Sequence, residues 1–273
     1  MKSNGTSVAA VARDGSWYAL PATDLTELVR SGPEAVQDAV SRASGDPLAD
    51  PRPSAPLRPG KVVAVGLNYL DHVRETGVEP PSAPLIFAKF PSSVIGPDES
   101  IVIDHNVTSR VDWEVELTAV IGRRLKNASE AEAMEGVLGY TVANDVSARD
   151  VQFGDGQWVR GKSLDTFCPL GPHIVSADEL GDPQSLRIAT RVNGRTVQDS
   201  NTSEMLFSIA EVLAYCSKSF TLEPGDVVLT GTPWGCGEFM NPRRSLSPGD
   251  VVETEIEGIG VLRNPVTRFS KVG

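Results

Sequence analysis

The chain has 273 residues, of which 40% are hydrophobic and 22% are charged, a balance typical of a globular protein with room for one large domain and a small one. Its 36 acidic and 25 basic residues give a formal net charge of −11, which argues against binding to the phosphate backbone of a nucleic acid. No apolar run approaches the roughly 18 residues that suggest a membrane helix. We therefore expect neither a nucleic acid nor a membrane as a partner.

The three cysteines, Cys168, Cys216 and Cys236, are far apart in the sequence and form no C-x-x-C pair. An odd number of separated cysteines is most simply explained by free thiols in a reducing compartment. The N-terminal stretch also lacks the apolar core of a signal peptide. These features together predict a cytoplasmic protein.

In chain order, the sequence first predicts a short strand over residues 8–15 and a helical stretch over residues 23–43. Residues 46–60 contain five prolines and no periodicity, which indicates a linker. A buried strand over 61–69 and a short helix over 71–77, ended by a glycine, come next. We expect a small N-terminal domain with its linker over residues 1–57, and a large domain over residues 58–273.

Strand patterns dominate the remaining sequence, over residues 100–104, 111–120, 140–145, 186–198, 225–232 and 249–262. Within the fourth of these, Asn193-Gly194 predicts a hairpin turn. Two helices interrupt the strands, over residues 129–137 and 203–219, and Ser203 is the expected N-cap of the second. Because strands outnumber helices without a regular βαβ alternation, we predict an α+β fold built on antiparallel or mixed sheets.

The strand VDWEVELTAV, residues 111–120, places Asp112, Glu114 and Glu116 on one face and apolar side chains on the other. One interpretation of this acidic face is a solvated surface. However, no basic residue offsets the carboxylates, and the next strand also ends at an acid, Asp145. Carboxylates that converge at strand ends repel one another unless they are protonated or hold a cation. The second interpretation is therefore an all-oxygen site for Mg²⁺ or Mn²⁺, rather than for zinc.

His72 and Glu75 lie three residues apart, on one face of the predicted short helix. The carboxylate can fix the tautomer of the imidazole, which makes His72 a candidate general base; a surface pair on an exposed turn is the alternative. Lys162 and Thr232 are further candidates, the second in a glycine-rich turn whose N–H groups could bind an anion. A solvated lysine and an ordinary turn are the alternatives for these two.

Five ordered blocks of sequence carry a resemblance to a known family. They are G-x-N-Y-x-x-H-x-x-E from Gly66, D-x-E-x-E-L from Asp112, N-D-V-S-A-R-D-x-Q from Asn144, G-K-S-x-D-x-x-x-P-x-G-P from Gly161 and L-x-P-G-D-V-V-x-T-G-T-P-x-G from Leu222. In this order and spacing they closely resemble the fumarylacetoacetate hydrolase family over residues 60–267. The resemblance implies a mixed β-sandwich roll, usually a homodimer, with a small N-terminal domain.

The resemblance also implies a metal site. Glu114, Glu116 and Asp145 match the family's ligands of a single Mg²⁺ or Mn²⁺ ion, and Lys162 matches a lysine beside that ion. Asp112 has no ligand counterpart in the family, so we expect it to be the solvated member of the acidic face.

The remaining matches concern catalysis and the substrate. His72 and Glu75 match a water-activating pair on a lid segment that closes over the substrate. The positions that match binding of the substrate's 2-oxo acid group are Arg149, Gln152 and Thr232. No matched position departs from the family pattern, which disfavours a non-catalytic metal-binding scaffold.

Residues 234–246 most resemble bacterial members that are acylpyruvate hydrolases or hydroxyheptadienedioate isomerases. We therefore expect an Mg²⁺-dependent enzyme that cleaves a C–C bond next to a 2-oxo acid, with hydrolysis of a fumarylpyruvate-like acylpyruvate as the main hypothesis. The alternatives are oxaloacetate-type decarboxylation and isomerisation of 2-hydroxyhepta-2,4-diene-1,7-dioate, since all can share an enolate. The group beyond the 2-oxo acid stays open: Arg243 and Arg244 either bind a second carboxylate or are solvated.

Overall fold

The computed structural model describes residues 1–3 and 6–270, and its architecture is α+β, as predicted. The N-terminal part contains two small antiparallel sheets and two helices: β1 (Lys2–Ser3), β2 (Thr6–Ser7), β3 (Ala10–Arg13), β4 (Ser16–Ala19), α1 (Leu25–Arg30) and α2 (Pro33–Arg42). Elements β3, β4, α1 and α2 contribute to one apolar cluster, built around Ala9, Leu20, Ala39 and Ala43. A small N-terminal unit therefore exists, while its boundary at residue 57 stays a prediction.

The helical stretch predicted over residues 23–43 is two helices. Asp24 caps the first, because its side chain accepts a hydrogen bond from the backbone N–H of Thr26 at 2.7 Å. Between the helices, Gly32 has φ 98°, a conformation that favours glycine. Pro33 then occupies the start of α2, where its missing N–H costs no helical hydrogen bond.

The rest of the chain contributes the following elements: β5 (Val62–Gly66), α3 (Leu70–Thr76), β6 (Leu85–Lys89), β7 (Val94–Ile95), β8 (Ile101–Ile103), β9 (Val111–Asp112), β10 (Val115–Ile121), α4 (Glu130–Glu135), β11 (Val137–Asn144), β12 (Ser147–Ala148), α5 (Arg149–Gly154), α6 (Trp158–Lys162), β13 (Cys168–Ser176), α7 (Ala177–Leu180), β14 (Arg187–Val192), β15 (Arg195–Asn201), α8 (Ile209–Ser219), β16 (Val227–Leu229), β17 (Val251–Ile256) and β18 (Gly260–Arg268).

A seven-stranded mixed sheet forms the centre of the large domain, in the order β6-β5-β16-β10-β11-β13-β7. Its central pair is antiparallel, with Thr118 opposite Thr141, whereas β16 and β5 run parallel, with Val228 opposite Val63. Every residue of β10 is buried, so both faces of this strand are covered. The acidic face of this strand is therefore not exposed to solvent, although its sequence pattern alternates like that of a half-exposed strand.

A second, five-stranded sheet has the order β15-β14-β17-β18-β8. Its first hairpin turns at Asn193 and Gly194, whose φ values of 52° and 76° meet the requirement of a type I′ turn for positive φ at both central residues. The predicted hairpin is confirmed. The isolated pair β9-β12 joins Asp112 to Ser147 and leads directly into the acidic strand β10.

Helix α8 packs on the seven-stranded sheet, where Val212 and Leu213 join an apolar cluster with Leu117. The helix begins at Ile209 rather than near residue 203, because Ser208 and Glu211 form a capping box. The prediction of Ser203 as N-cap is wrong. Residues 202–204 form a separate 3₁₀ turn that the side chain of Asn201 caps.

The helices of this protein are short. The longest among the described residues, α8, has 11 residues, whereas a membrane-spanning helix needs about 20. No helix within residues 1–3 and 6–270 is long and apolar enough to cross a membrane.

The proline-rich segment 46–60 packs on the large domain instead of standing free. Leu57 is buried in the cluster that includes Val62 and Leu170. Gly96 approaches the segment so closely that a Cβ atom on it would lie 2.2 Å from the backbone nitrogen of Ala55. The segment is therefore a fitted part of the fold, in spite of its linker composition.

This close approach predicts that Gly96→Ala destabilises the protein. Overpacking costs about 1–3 kcal/mol, and here the obstacle is backbone, which cannot rotate away as a side chain can. The matched control is Gly154→Ala, since a Cβ atom at Gly154 meets nothing within 4 Å. We expect the free energy of unfolding, measured by urea denaturation, to fall for the first variant only. Equal stability of the two variants would contradict the close packing of segment 46–60 against Gly96.

Candidate active site

Two antiparallel strands bring the acidic residues together. Strand β11 runs beside β10 as far as Asn144, which lies opposite Val115. The side-chain oxygen of Asn144 accepts a hydrogen bond from the N–H of Glu114 at 3.0 Å, and the N–H of Asp145 donates to the carbonyl oxygen of Glu114 at 2.8 Å. These bonds place Asp145, at the end of one strand, beside Glu114 and Glu116 on the other.

The three carboxylates form a compact buried cluster. One oxygen of each of Glu114, Glu116 and Asp145 lies within 4.8 Å of the others. The residues are 5%, 1% and 0% exposed. The interpretation of this acidic face as a solvated surface is therefore wrong, and the convergence predicted from the strand ends is present.

Asp112 is also buried, at 1% exposure, so the expectation that it is solvated is wrong. Its carboxylate accepts hydrogen bonds from the backbone N–H groups of Gly237 and Glu238, at 2.7 and 3.1 Å, and from Nε of Arg149 at 2.9 Å. Asp112 therefore fixes Arg149 and the loop that follows β16. The period of the strand shows which face Asp112 is on, but it cannot show that a loop covers that face.

Two buried lysines contact the acidic cluster. Nζ of Lys162 lies 2.6 Å from Glu114 and 2.7 Å from one oxygen of Asp145. Nζ of Lys89 lies 2.6 Å from the other oxygen of Asp145. We did not predict Lys89 from the sequence. Its signal is a lysine at the end of the apolar strand LIFAK, since a lysine is almost never fully buried unless it is paired.

Burial and neighbouring charges shift the pKa values of the cluster in opposite directions. Burial would raise the pKa of Glu114, but the charges of Arg149 and Lys162 lower it to about 2. The pKa of Glu116 is raised well above its usual value, mainly by burial and further by the negative charges of Asp145 and Glu114. Burial would lower the pKa of Lys162, but Asp145 and Glu114 raise it. Lys162 therefore stays a cation at neutral pH. The charge of Lys162 and the N–H of Gly231 lower the pKa of Glu116 too little to offset burial and the neighbouring carboxylates.

The cluster fits a hard divalent cation. Lys162 forms ion pairs with Glu114 and Asp145 but not with Glu116, which has no basic partner in the part of the chain that the structure describes. One oxygen of Glu116 accepts the N–H of Gly231 at 2.7 Å. An oxygen-only donor set suits Mg²⁺ or Mn²⁺. The three carboxylates could therefore hold a metal ion, whose identity stays a prediction.

The buried position of Lys89 predicts that Lys89→Met destabilises the protein. The change leaves one oxygen of Asp145 without its charged partner, and an unsatisfied buried group costs about 1–3 kcal/mol. The loss is limited because Asp145 keeps Lys162. The matched control is Lys218→Met, which removes an exposed lysine. Urea denaturation in the presence of a chelator measures the free energy of unfolding of both variants. A Lys89 variant as stable as the control would show that the buried Lys89–Asp145 pair adds nothing to stability.

His72 and Glu75, on helix α3, form a hydrogen-bonded pair that we call the dyad. Nδ1 of His72 lies 2.9 Å from one oxygen of Glu75, and the other oxygen accepts the N–H of Gly235 at 2.8 Å. The His72 residue is only 6% exposed, so the alternative of a surface pair is wrong. A carboxylate accepts a hydrogen bond from N–H, so we assign the proton to Nδ1. Nε2 then has a free lone pair.

Helix α3 is anchored at several points. Tyr69 and Val73 are buried, and Gly77 ends the helix in the left-handed conformation, with φ 69°. At the start of the helix, the carboxylate of Asp71 accepts the N–H of Trp234 at 3.3 Å. These contacts hold the helix against the loop that follows β16, and the opening motion that the family resemblance implies stays a prediction.

A cavity of about 210 Å³ lies between the dyad and the acidic cluster. The predicted site residues that line it are His72, Glu114, Glu116, Arg149, Gln152, Lys162 and Thr232, whereas Glu75 and Asp145 lie behind this lining. Arg149 donates to the side-chain oxygen of Gln152 at 3.0 Å, and the hydroxyl of Thr232 accepts from Gln198 at 2.9 Å. The structure therefore places the three predicted substrate-binding residues at the cavity, and their role stays a prediction.

Arg243 and Arg244 are not among the residues that line this cavity. Arg243 instead contacts Glu238, with Nη2 3.2 Å from the carboxylate. In this arrangement the structure does not support either arginine as the binding site of a second substrate carboxylate.

The chain is similar to proteins of one known family. Residues 61–267 match the family model described as fumarylacetoacetate (FAA) hydrolase, C-terminal. The mitochondrial oxaloacetate tautomerase Fahd2a of Rattus norvegicus is 50% identical over 210 residues, which cover 77% of this chain and 67% of the relative.

Two solved structures share the fold. The fumarylacetoacetate hydrolase EaFAH from Exiguobacterium antarcticum has 38% sequence identity and a TM-score of 0.89, over 98% of each chain. The 5-carboxymethyl-2-hydroxymuconate delta-isomerase from Mycobacterium smegmatis has 40% identity and a TM-score of 0.78, over 97% of this chain and 94% of the other. With the family model spanning the whole candidate site, these similarities show that the chain belongs to the fumarylacetoacetate hydrolase family.

Proposed function

We propose that this protein catalyses the enol–keto tautomerisation of a short 2-oxo dicarboxylic acid such as oxaloacetate. One observation carries the proposal: the dyad and the Lys162–carboxylate cluster face each other across one small cavity. Tautomerisation moves a proton between carbon C3 and the 2-oxo oxygen, so it requires a base on one side and a site for an oxyanion on the other. The two walls of the cavity supply these two requirements.

In the proposed reaction, Nε2 of His72 takes a proton from C3 of the keto acid. The electrons of the C3–H bond form the C2=C3 double bond, and those of the C2=O bond move to the oxygen. Glu75 stabilises the resulting imidazolium, because its carboxylate accepts the Nδ1–H bond. The imidazolium then gives the proton to the oxygen, which yields the enol. The reverse sequence yields the keto acid, and no water is consumed.

The opposite wall stabilises the negative charge on the 2-oxo oxygen. Lys162 stays protonated and adds positive charge there, in a buried place where such charge acts strongly. Glu114, Glu116 and Asp145 would hold the divalent ion, which when bound acts as a Lewis acid toward that oxygen. Arg149 lines the same cavity and can donate to a substrate carboxylate.

Cavity size and the names of relatives favour this reaction over the acylpyruvate hydrolysis that the sequence led us to expect first. The cavity of about 210 Å³ is smaller than the roughly 300–1,000 Å³ of sites for drug-sized ligands, which favours a short acid. The relative from Rattus norvegicus is named a tautomerase and the Mycobacterium smegmatis structure an isomerase. These names support the isomerase alternative better than the hydrolase hypothesis.

Hydrolysis of an acylpyruvate is the second candidate. The structure from Exiguobacterium antarcticum is named a hydrolase, and the same dyad could activate a water molecule. Decarboxylation of oxaloacetate would use the oxyanion site alone, because loss of CO₂ produces the enolate without a base.

We also propose that the protein is a homodimer. Phe90 and Phe153 are 56% and 51% exposed, and aromatic residues are enriched at protein–protein interfaces. Light scattering coupled to size-exclusion chromatography tests this proposal, and a monomeric mass at micromolar concentration would overturn it.

One preparation assayed for three reactions tests the proposed function. The Mg²⁺-loaded enzyme should accelerate decay of the ultraviolet absorbance of enol-oxaloacetate, and chelation should remove most of this effect. Pyruvate release from oxaloacetate and cleavage of a panel of acylpyruvates are measured in parallel. We expect tautomerisation to have the highest kcat/KM, and a higher value for an acylpyruvate would overturn the proposal in favour of hydrolysis.

A further inference from the structure

Cys236 lies behind the dyad and has no role in the proposed reaction. Its thiol is fully buried, and a ligand atom of Cys236, one of His72 and one of Glu75 lie within 4.8 Å of one another. The thiol has only long contacts among the described residues, at 3.9 Å to the side-chain nitrogen of Gln198 and to the carbonyl oxygen of Pro233. Imidazole, carboxylate and thiol thus converge at a point where the sulfur lacks a strong partner.

We propose that His72, Glu75 and Cys236 form a second metal site, which takes a borderline-soft ion such as Zn²⁺ and inhibits the enzyme when it is occupied. Zinc binds sulfur at about 2.3 Å and nitrogen or oxygen at about 2.0–2.2 Å, in a tetrahedral arrangement. Those bond lengths require ligand atoms about 3.3–3.8 Å apart. The three atoms already lie within 4.8 Å, so a movement of about one ångström is enough. A water molecule from the cavity would occupy the fourth position.

Occupation of this site removes the base, a consequence that rests on the proposed function of His72. The thiol of Cys236 releases its proton to the solvent and binds as the thiolate. If Nδ1 of His72 binds the ion, its proton moves to Nε2; if Nε2 binds, its lone pair is used directly. In both arrangements the lone pair that accepts the substrate proton is lost, and Glu75 no longer orients the ring.

The two sites select different ions. Thiolate and imidazole ligands favour Zn²⁺ or Co²⁺, whereas a carboxylate cluster is the usual choice of Mg²⁺. Excess Mg²⁺ should therefore fill the carboxylate cluster and leave the Cys236 site to a softer ion. Zinc that inhibited by replacing Mg²⁺ at Glu116 would instead be displaced by more Mg²⁺.

The test uses the full-length enzyme in excess Mg²⁺, first with Co²⁺ as a spectroscopic probe and then with Zn²⁺ as the inhibitor. Binding of Co²⁺ to a cysteine gives a thiolate-to-metal charge-transfer band in the near ultraviolet. We expect this band in the native protein and in Cys216→Ala, which removes another buried free thiol, but not in Cys236→Ala. Because the band is first seen in the native protein, the test does not depend on the folding of a variant.

In the activity assay, Zn²⁺ should inhibit the native enzyme and the Cys216 variant, and raising Mg²⁺ should not restore the activity. The Cys236 variant should keep its basal activity and become at least about 10-fold less sensitive to Zn²⁺. A missing band, or a band that survives Cys236→Ala, overturns the metal site and leaves the proposed function untouched. A Cys236-dependent band without inhibition keeps the site, but overturns the inhibition and the role of His72 as base.

Discussion

Replacing Glu116 with Gln should abolish metal-dependent activity. The change keeps the shape of the side chain and its contact with the N–H of Gly231. It removes the charge of Glu116, which among the three clustered carboxylates has no basic partner within the described residues. Even residues that only support a metal ligand contribute 10- to 100-fold to affinity or activity, so loss of a ligand should cost at least about 100-fold. Isothermal titration with Mn²⁺ and the tautomerisation assay measure the two losses separately.

The same change should stabilise the metal-free protein. Burial and the charges of Asp145 and Glu114 raise the pKa of Glu116 above its usual value, so the folded state favours its protonated form. The stability that this group contributes is present below its unfolded pKa and is lost as the pH rises through its folded pKa. In the presence of a chelator, the melting temperature of the native protein should therefore fall as the pH rises above about 4.5, and Glu116→Gln should reduce that fall.

The matched control is Glu130→Gln, which removes an exposed carboxylate from the first turn of α4. It should leave metal binding, activity and the pH dependence of melting unchanged. Glu116→Gln with native Mn²⁺ affinity, or with a lower melting temperature in chelator, would contradict a metal site built on three mutually repelling carboxylates.

Strand periodicity predicted most of the sheet elements, because alternation and apolar runs are set by whether a face is buried. It failed where a short segment carries too few residues to show a period, and it also missed the nine-residue strand β13, in which Pro169, Gly171 and Pro172 interrupt the pattern. Helices α5, α6 and α7 have 6, 5 and 4 residues, and none was predicted. The break between α1 and α2 was overlooked for a similar reason, since the apolar pattern continues across Gly32 and only the glycine and proline mark it.

The acidic cluster was predictable because its members lie on adjacent strands, whose ends must meet. The buried state of Asp112 and the contact between Lys89 and Asp145 were not. These two features depend on which distant segment covers the strand: Lys89 is 56 residues from its partner, and the loop at Gly237 is 125 residues from Asp112. A sequence shows the face of a strand on which a side chain lies, but not what packs against that face.

Replacing His72 with Ala should separate the candidate reactions. The change removes the proposed base but leaves the three carboxylates and Lys162 in place. Tautomerisation and hydrolysis both need a proton to be removed in the transition state, a contribution of about 10²–10⁴-fold. Decarboxylation of oxaloacetate depends on stabilisation of the enolate and should survive far better. All three reactions are measured on one preparation of the variant, with Mg²⁺ in excess.

The matched control is His105→Ala, because His105 is exposed and does not line the cavity; it should leave all three rates unchanged. Equal losses of tautomerisation and decarboxylation in the His72 variant would mean that the residue serves binding or closure of α3, to which its edge-to-face contact with Phe239 at 5.5 Å also contributes. A loss confined to acylpyruvate cleavage would mean that the dyad activates water. The three rates therefore distinguish three roles of His72: removal of a proton from C3 of the substrate, removal of a proton from water, and a structural contact. Only the first role requires tautomerisation to fall while decarboxylation persists.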